Sequence, residues 1–141
     1  MALERLSKIL LVEDDEIDIK NVKRAFKKNN MQNPIEVAHN GEEALDILTG
    51  NNGNTAYMPD VVLLDINMPR MNGIEFLQYI RNVDTLKHLH VFIMTSSESD
   101  ENILEAYNLN VAGYIVKPLS FDRFMEAMAT LDAYWKLTIK P

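Results

Sequence analysis

The sequence predicts a three-layer α/β domain built on a five-stranded parallel sheet, and three observations carry that expectation. Short, fully apolar runs recur along the chain, among them Ile9–Val12, Val61–Leu64 and Val91–Met94. Runs this short, rich in Val, Ile and Leu and bounded by charged or turn-forming residues, read as strands buried on both faces, as parallel sheets require. Between them lie segments whose apolar residues recur at three and four positions, the period of an amphipathic helix. Strand and helix alternate five times, the order of a parallel sheet covered on both sides. Finally, four of the five runs stop at residues able to do chemistry: Glu13 and Asp14, Asp65, Thr95 and Lys117.

Taken in order, Ile9–Val12 ends at the acidic cluster Glu13, Asp14, Asp15, Glu16. The following helix carries Ile19, Val22 and Phe26 on one side, with acids at its start and Lys23, Arg24, Lys27 and Lys28 toward its end, complementing the helix dipole. Asn29 and Asn30 are expected to stop it. Residues 34–38 alternate weakly as a second, shorter strand. Asn40 with Glu43 has the spacing of a capping box for a short helix bearing Ala44, Leu45 and Leu48 and closed by Gly50. A polar loop, expected to be mobile, runs to Met58 and leads into Val61–Leu64, with Pro59 before it and Asp65, Met68 and Pro69 after it. Asn72 and Glu75 repeat the capping pattern ahead of Ile74, Leu77 and Ile80. The fourth run stops at Thr95-Ser96-Ser97. Ser97 or Ser99 can cap a helix with Ile103, Leu104 and Tyr107, and Asn110 suits a left-handed C-terminal position. The fifth run, Tyr114–Val116, stops at Lys117-Pro118. A last helix then places Phe121, Phe124, Met125, Met128, Leu131 and Trp135 on one stripe.

The chain is expected to form one domain over its 141 residues, with 133–141 extending the last helix. Fourteen basic against 21 acidic residues, a net charge of −7, argue against nonspecific nucleic-acid binding, which depends on Lys and Arg neutralising phosphates. With no cysteine there is neither a disulfide framework nor a thiolate metal site. The N-terminus has no signal-peptide pattern and no apolar run approaches spanning length, so a cytoplasmic location without membrane partners is expected. His39, His88 and His90 lack paired ligand spacing and read as surface or loop residues.

In a parallel sheet the carboxyl ends of all strands lie on one edge, where ligands bind. Strands about 4.8 Å apart let residues at neighbouring ends share a site. That site would hold three carboxylates, a hydroxyl and an ammonium. Two carboxylates about 4 Å apart repel by roughly 4 kcal/mol at an effective dielectric near 20, so the cluster calls for a cation or a proton. Hard oxygen ligands suit Mg²⁺. A carboxylate nucleophile beside that ion, with Lys117 and Thr95 able to reach phosphoryl oxygens, describes phosphoryl transfer onto Asp65, giving an acyl phosphate.

Four ordered motifs make the chain resemble, along nearly its whole length, the receiver domain of two-component response regulators. They are LLVED at 10–14, LLDINMPRMNG at 63–73, MTSS at 94–97 and GYIVKP at 113–118. Thirty positions separate Asp65 from Thr95 and twenty-two separate Thr95 from Lys117, as the family pattern requires. The resemblance implies a doubly wound, flavodoxin-like fold with strand order 2-1-3-4-5 and Asp65 as the phosphorylated residue. It implies Mg²⁺ held by Asp14, Asp65 and the carbonyl of Asn67, with Glu13 acting through water. Thr95 and Lys117 fall to the phosphoryl oxygens, and Thr95 with Tyr114 to a switch that remodels the face of the fourth helix, fifth strand and fifth helix. Glu13 stands where many members carry Asp. Asp15 leaves the acidic pair alignable one position later; Glu13-Asp14 is preferred because it makes Val12 the last buried residue of its strand. A cis peptide is expected between Lys117 and Pro118.

Two rival functions stay open. An aspartyl-nucleophile phosphatase would carry a second Asp two positions after the first, where this chain has Asn67. A receiver-like interaction module that is never phosphorylated would usually lack the acceptor Asp or the Lys, and both are present. The chain is read as a phosphoacceptor, not a turnover enzyme. The tail YWKLTIKP resembles single-domain receivers associated with phytochrome-type sensor kinases, which implies a sensor histidine kinase or phosphotransfer protein as partner. Tyr134, Trp135, Leu137 and Ile139 continue past the point where the sheet is expected to end, and such patches mark interaction sites. A homodimer through the fourth-helix, fifth-strand and fifth-helix face, helped by the tail, is expected.

Overall fold

A computed structural model of the chain describes residues 8–28, 32–50, 56–66, 68, 71–95, 105–117 and 122. The strands are β1 (Ile9–Val12), β2 (Ile35–Ala38), β3 (Val61–Asp65), β4 (Val91–Thr95) and β5 (Gly113–Val116). The helices are α1 (Glu16–Lys28), α2 (Gly41–Thr49) and α3 (Gly73–Ile80). Residues 105–108 form a further helical turn between β4 and β5. All strands pair in parallel, in the order β2-β1-β3-β4-β5. This is the doubly wound order, with α/β layering as the sequence predicts.

Alternation along the strands divides the core in two. Leu10, Val12, Val62, Leu64 and Ile93 face the layer of α2 and α3, where Leu48, Phe76, Leu77 and Ile80 are buried. Ile9, Leu11, Leu63, Phe92 and Met94 face the opposite side, against Ile19, Val22 and Phe26 of α1. Because β1 and β3 are central, every one of their side chains is buried, which is why their sequences are apolar without alternation. At the sheet edge, β2 leaves Glu36 exposed and Ile35 and Val37 half-covered, which accounts for its weaker pattern.

Helix starts follow the local chemistry. Asn72 and Glu75 form a full capping box: each side chain accepts from the other's backbone N–H, at 2.9 and 3.0 Å. At α2 the box is only half made. Asn40 Oδ1 accepts from the Glu43 N–H at 2.8 Å, but Glu43 Oε1 turns to the His39 backbone N–H and ring Nδ1 instead of Asn40. Gly50 closes α2 at φ 74°, and Asn110 takes φ 63°, the left-handed conformation expected of it.

Arg81 ties the far end of the domain together. Its guanidinium donates to the carbonyls of Leu109, Lys87, Leu89 and Asn110 at 2.7–3.2 Å, joining the α3–β4 connection to the turn before β5.

Several expectations lie outside the described residues: the Asn29-Asn30 stop, the mobile centre of the 50–58 loop, the Ser97 or Ser99 cap, the Lys117-Pro118 peptide, and the last helix with its 133–141 extension. Among the described residues no helix is long and apolar enough to cross a membrane.

Candidate functional site

The register of the sheet assembles the site. Val12 stands opposite Leu64, so the next residues, Glu13 just past β1 and Asp65 at the end of β3, fall side by side at the carboxyl edge. Thr95 is opposite Val116 on the next pair, which brings the start of the β5 exit, Lys117, to the same edge.

Glu13 and Asp65 are both buried, whereas Asp14 is exposed, and one oxygen from each of the three lies within 4.8 Å of the others. Lys117 reaches into this group. Its Nζ stands 2.8 Å from Glu13 Oε1, 2.9 Å from Asp18 Oδ2 and 3.5 Å from Asp65 Oδ2. The Glu13 contact is an ion pair without good hydrogen-bond alignment, and it leaves Oε1 with no aligned donor in the interior. Glu13 Oε2 accepts from the Asp15 N–H at 3.2 Å.

The electrostatics follow from burial. Desolvation pushes the Glu13 carboxyl up; Lys117 pulls it back and Asp65 pushes it further, leaving it at about 7. For Lys117 burial works against the charge, but the carboxylates of Glu13 and Asp18, with Asp65 and Glu13 adding their field, outweigh it and raise its pKa. Four carboxylates thus face one ammonium among the described residues. The deficit of positive charge, the all-oxygen donor set and the exposed Asp14 suit a hard divalent cation.

Two glycines allow close backbone approaches beside this edge. A Cβ on Gly73 would lie 2.5 Å from the Asp65 carbonyl oxygen and 2.7 Å from Ile66 Cα, so the start of α3 can press against the end of β3 only without one. Gly73 N–H donates to the Ile66 carbonyl at 2.9 Å. Gly41, at the start of α2, donates to the Met71 carbonyl at 3.2 Å and would meet the Met71 side chain if it carried a Cβ.

The structure brings together Glu13, Asp14, Asp65 and Lys117 of the residues singled out by sequence. Thr95 closes β4, but its side chain lies outside the described residues, as does all of Asn67. Tyr114 is 40% exposed and packs edge-to-face on Tyr107, ring centroids 6.3 Å apart. Two details bear on the acidic pair. Val12 is the last residue of β1 and is buried, as expected, and burial continues one residue further through Glu13, whose carboxylate pairs with Lys117. The alternative pairing through Asp15 is not adopted: Asp15 Oδ1 accepts from the N–H groups of Ile17 and Asp18 at 2.8 and 3.3 Å, so it caps α1. Sequence reasoning missed Asp18, taking it for one of the acids that complement the helix dipole. Its signal was its place in the first turn of a helix separated from β1 by only three residues, which hangs that turn over the strand ends.

Comparison with known proteins agrees with this geometry. The profile of the response regulator receiver domain matches residues 9–129. The probable methanogenesis regulatory protein FilR2 of Methanothrix harundinacea is 35% identical over 127 residues, covering 90% of this chain and 82% of that protein. The bacteriophytochrome response regulator AtBRR superposes with a TM-score of 0.80 at 36% identity, over 93% of this chain and 96% of that one. The Mn²⁺-bound form of response regulator Rcp1, a protein of Synechocystis sp., does so with a TM-score of 0.72 at 25% identity, over 95% and 97%. With its strand order, its acidic edge and this match over most of its length, the chain belongs to the response regulator receiver domains, the phosphoacceptors of two-component signalling.

Proposed function

We propose that this receiver domain accepts a phosphoryl group on Asp65 from the phosphohistidine of a sensor kinase, or of a phosphotransfer protein, in a Mg²⁺-dependent reaction. The observation that carries this reading is the meeting of Asp65 with the Lys117 ammonium and two further carboxylates at one sheet edge. An Asp65 oxygen attacks phosphorus as the N–P bond to the donor imidazole breaks, and the electron pair leaves with the imidazole. The product is an acyl phosphate. Asp14 and Asp65, with the carbonyl of Asn67, would hold the metal, and Glu13 would act through water. When bound, Mg²⁺ supplies charge neutralisation for the carboxylates and the transferring oxygens. Lys117 offers its ammonium to a phosphoryl oxygen, and Thr95 its hydroxyl.

The response is a switch and not turnover. Thr95 is drawn toward the phosphoryl group, and Tyr114 leaves its exposed packing on Tyr107 and turns inward. The face of the fourth helix, β5 and the fifth helix is thereby remodelled, and it supports a homodimer together with the 133–141 tail. The phosphoryl group is then lost by slow self-hydrolysis. Similarity to AtBRR favours a phytochrome-type kinase, and the setting of such a relay is the cytoplasm.

The test is label transfer from a phosphohistidine kinase or a small acyl-phosphate donor. Wild type should acquire a hydroxylamine-labile label in Mg²⁺ and none in excess EDTA, and Asp65→Asn should acquire none. Labelling that persists in the variant or in EDTA would overturn the assignment.

A further inference from the structure

Lys117 is shared unequally. Its ammonium has three N–H donors, and the two short contacts go to Glu13 and Asp18, at 2.8 and 2.9 Å; Asp65 stands back at 3.5 Å. The two short partners differ in what it costs to release them. Glu13 is wholly buried, so on losing the ammonium its carboxyl group would have no water to take that place. The Asp18 side chain is 23% exposed, on the first turn of α1, and water can take the place of the ammonium there. Asp18 accepts a hydrogen bond from Lys117 across ninety-nine positions of sequence, so the contact exists only in the folded site.

We propose that Asp18 is a positioning residue that acts through Lys117, holding the ammonium toward α1 in the unmodified protein and competing with the phosphoryl group for it. This inference rests on the phosphoacceptor reading above and deepens it. A phosphoryl group on Asp65 brings oxygens within reach of an ammonium that already stands 3.5 Å from that carboxylate. To engage them fully, Lys117 gives up Asp18 and keeps Glu13. Asp18 therefore weakens the phosphorylated state relative to the unmodified one and sets how readily the site is switched.

Beryllofluoride with excess Mg²⁺ serves as the phosphoryl probe, its affinity read from a tyrosine or tryptophan fluorescence titration. Asp18→Asn keeps the shape of the side chain and removes its charge; it should bind the probe about fivefold more tightly, equivalent to about 1 kcal/mol. Asp18→Glu, which retains the charge, should stay near wild type. In a Lys117→Met background Asp18→Asn should have no effect, since nothing is left to compete for. The ¹⁵N resonance of the Lys117 ammonium should also move in Asp18→Asn without any probe, and a purely structural role for Asp18 would leave it in place.

Unchanged or weaker probe binding by Asp18→Asn, or an equal gain in the Lys117→Met background, would overturn the proposal. The second outcome would mean a through-space field and not a shared ammonium. A wild-type protein that binds no beryllofluoride would overturn the phosphoacceptor reading, and this proposal with it. Binding by wild type and by Asp18→Asn with equal affinity would overturn this proposal alone.

Discussion

Glu13 shows how burial converts an ordinary carboxylate into a pH-sensitive one. Its pKa rises from the usual 4.5 to about 7 because desolvation, reinforced by Asp65, exceeds the pull of Lys117. Between those values the folded protein holds a proton that the unfolded chain has released. By linkage this stabilises the fold at the acid end of the window and is lost as pH rises through it, about 3 kcal/mol across the whole interval. In EDTA, therefore, Glu13→Gln should gain on wild type by about that amount as the pH is raised from 5 to 7.5. Denaturant unfolding of both proteins at the two pH values measures it. A stability difference that does not change with pH would show that Glu13 does not titrate there.

At the scale of elements, the site depends on how closely α3 approaches β3. The absent Cβ of Gly73 leaves room for the Asp65 carbonyl and Ile66 Cα, both of them backbone atoms that cannot rotate aside. Gly73→Ala must push the helix start or the strand end, at a cost of about 1–3 kcal/mol by analogy with overpacked cores. The same shift would displace Asp65, so weaker labelling at Asp65 should accompany a lower urea midpoint. A variant within about 0.5 kcal/mol of wild type, the range of neutral surface changes, would show that the junction is more compliant than its distances indicate. The Arg81 clamp at the opposite end of the domain fixes the turn before β5 from below.

For the whole molecule, an excess of carboxylates at one edge means that a cation bound there stabilises the fold by mass action. At a concentration one hundred times its dissociation constant, Mg²⁺ should add about 2.7 kcal/mol. The gain should be largely absent in Asp14→Asn, which removes the proposed ligand most exposed to an ion. A thermal midpoint that does not respond to Mg²⁺ in wild type would oppose the proposed metal site. The dimer is tested separately. Sedimentation of the full chain and of a version ending at Ala133, each with and without beryllofluoride, should show a dimer that needs the tail. Four identical monomeric masses would exclude it.

The sequence by itself determined the order of strands and helices, the two faces of the sheet and the carboxyl edge. It also placed Glu13, Asp14, Asp65 and Lys117 at that edge. These are consequences of local periodicity: an apolar run long enough to cross a sheet ends where its first polar residue stands, and parallel pairing puts all such ends together. The tertiary structure alone decided which carboxylates the ammonium would take. Asp15 was diverted to cap α1, Asp18 was turned onto Lys117, and Glu13 was drawn inside with it. Tyr114 likewise found its edge-to-face partner in Tyr107 only once the turn before β5 had folded. Periodicity says which face a side chain occupies, but a charge chooses its partner by direction and by how much water each carboxylate can keep, and both are properties of the assembled edge.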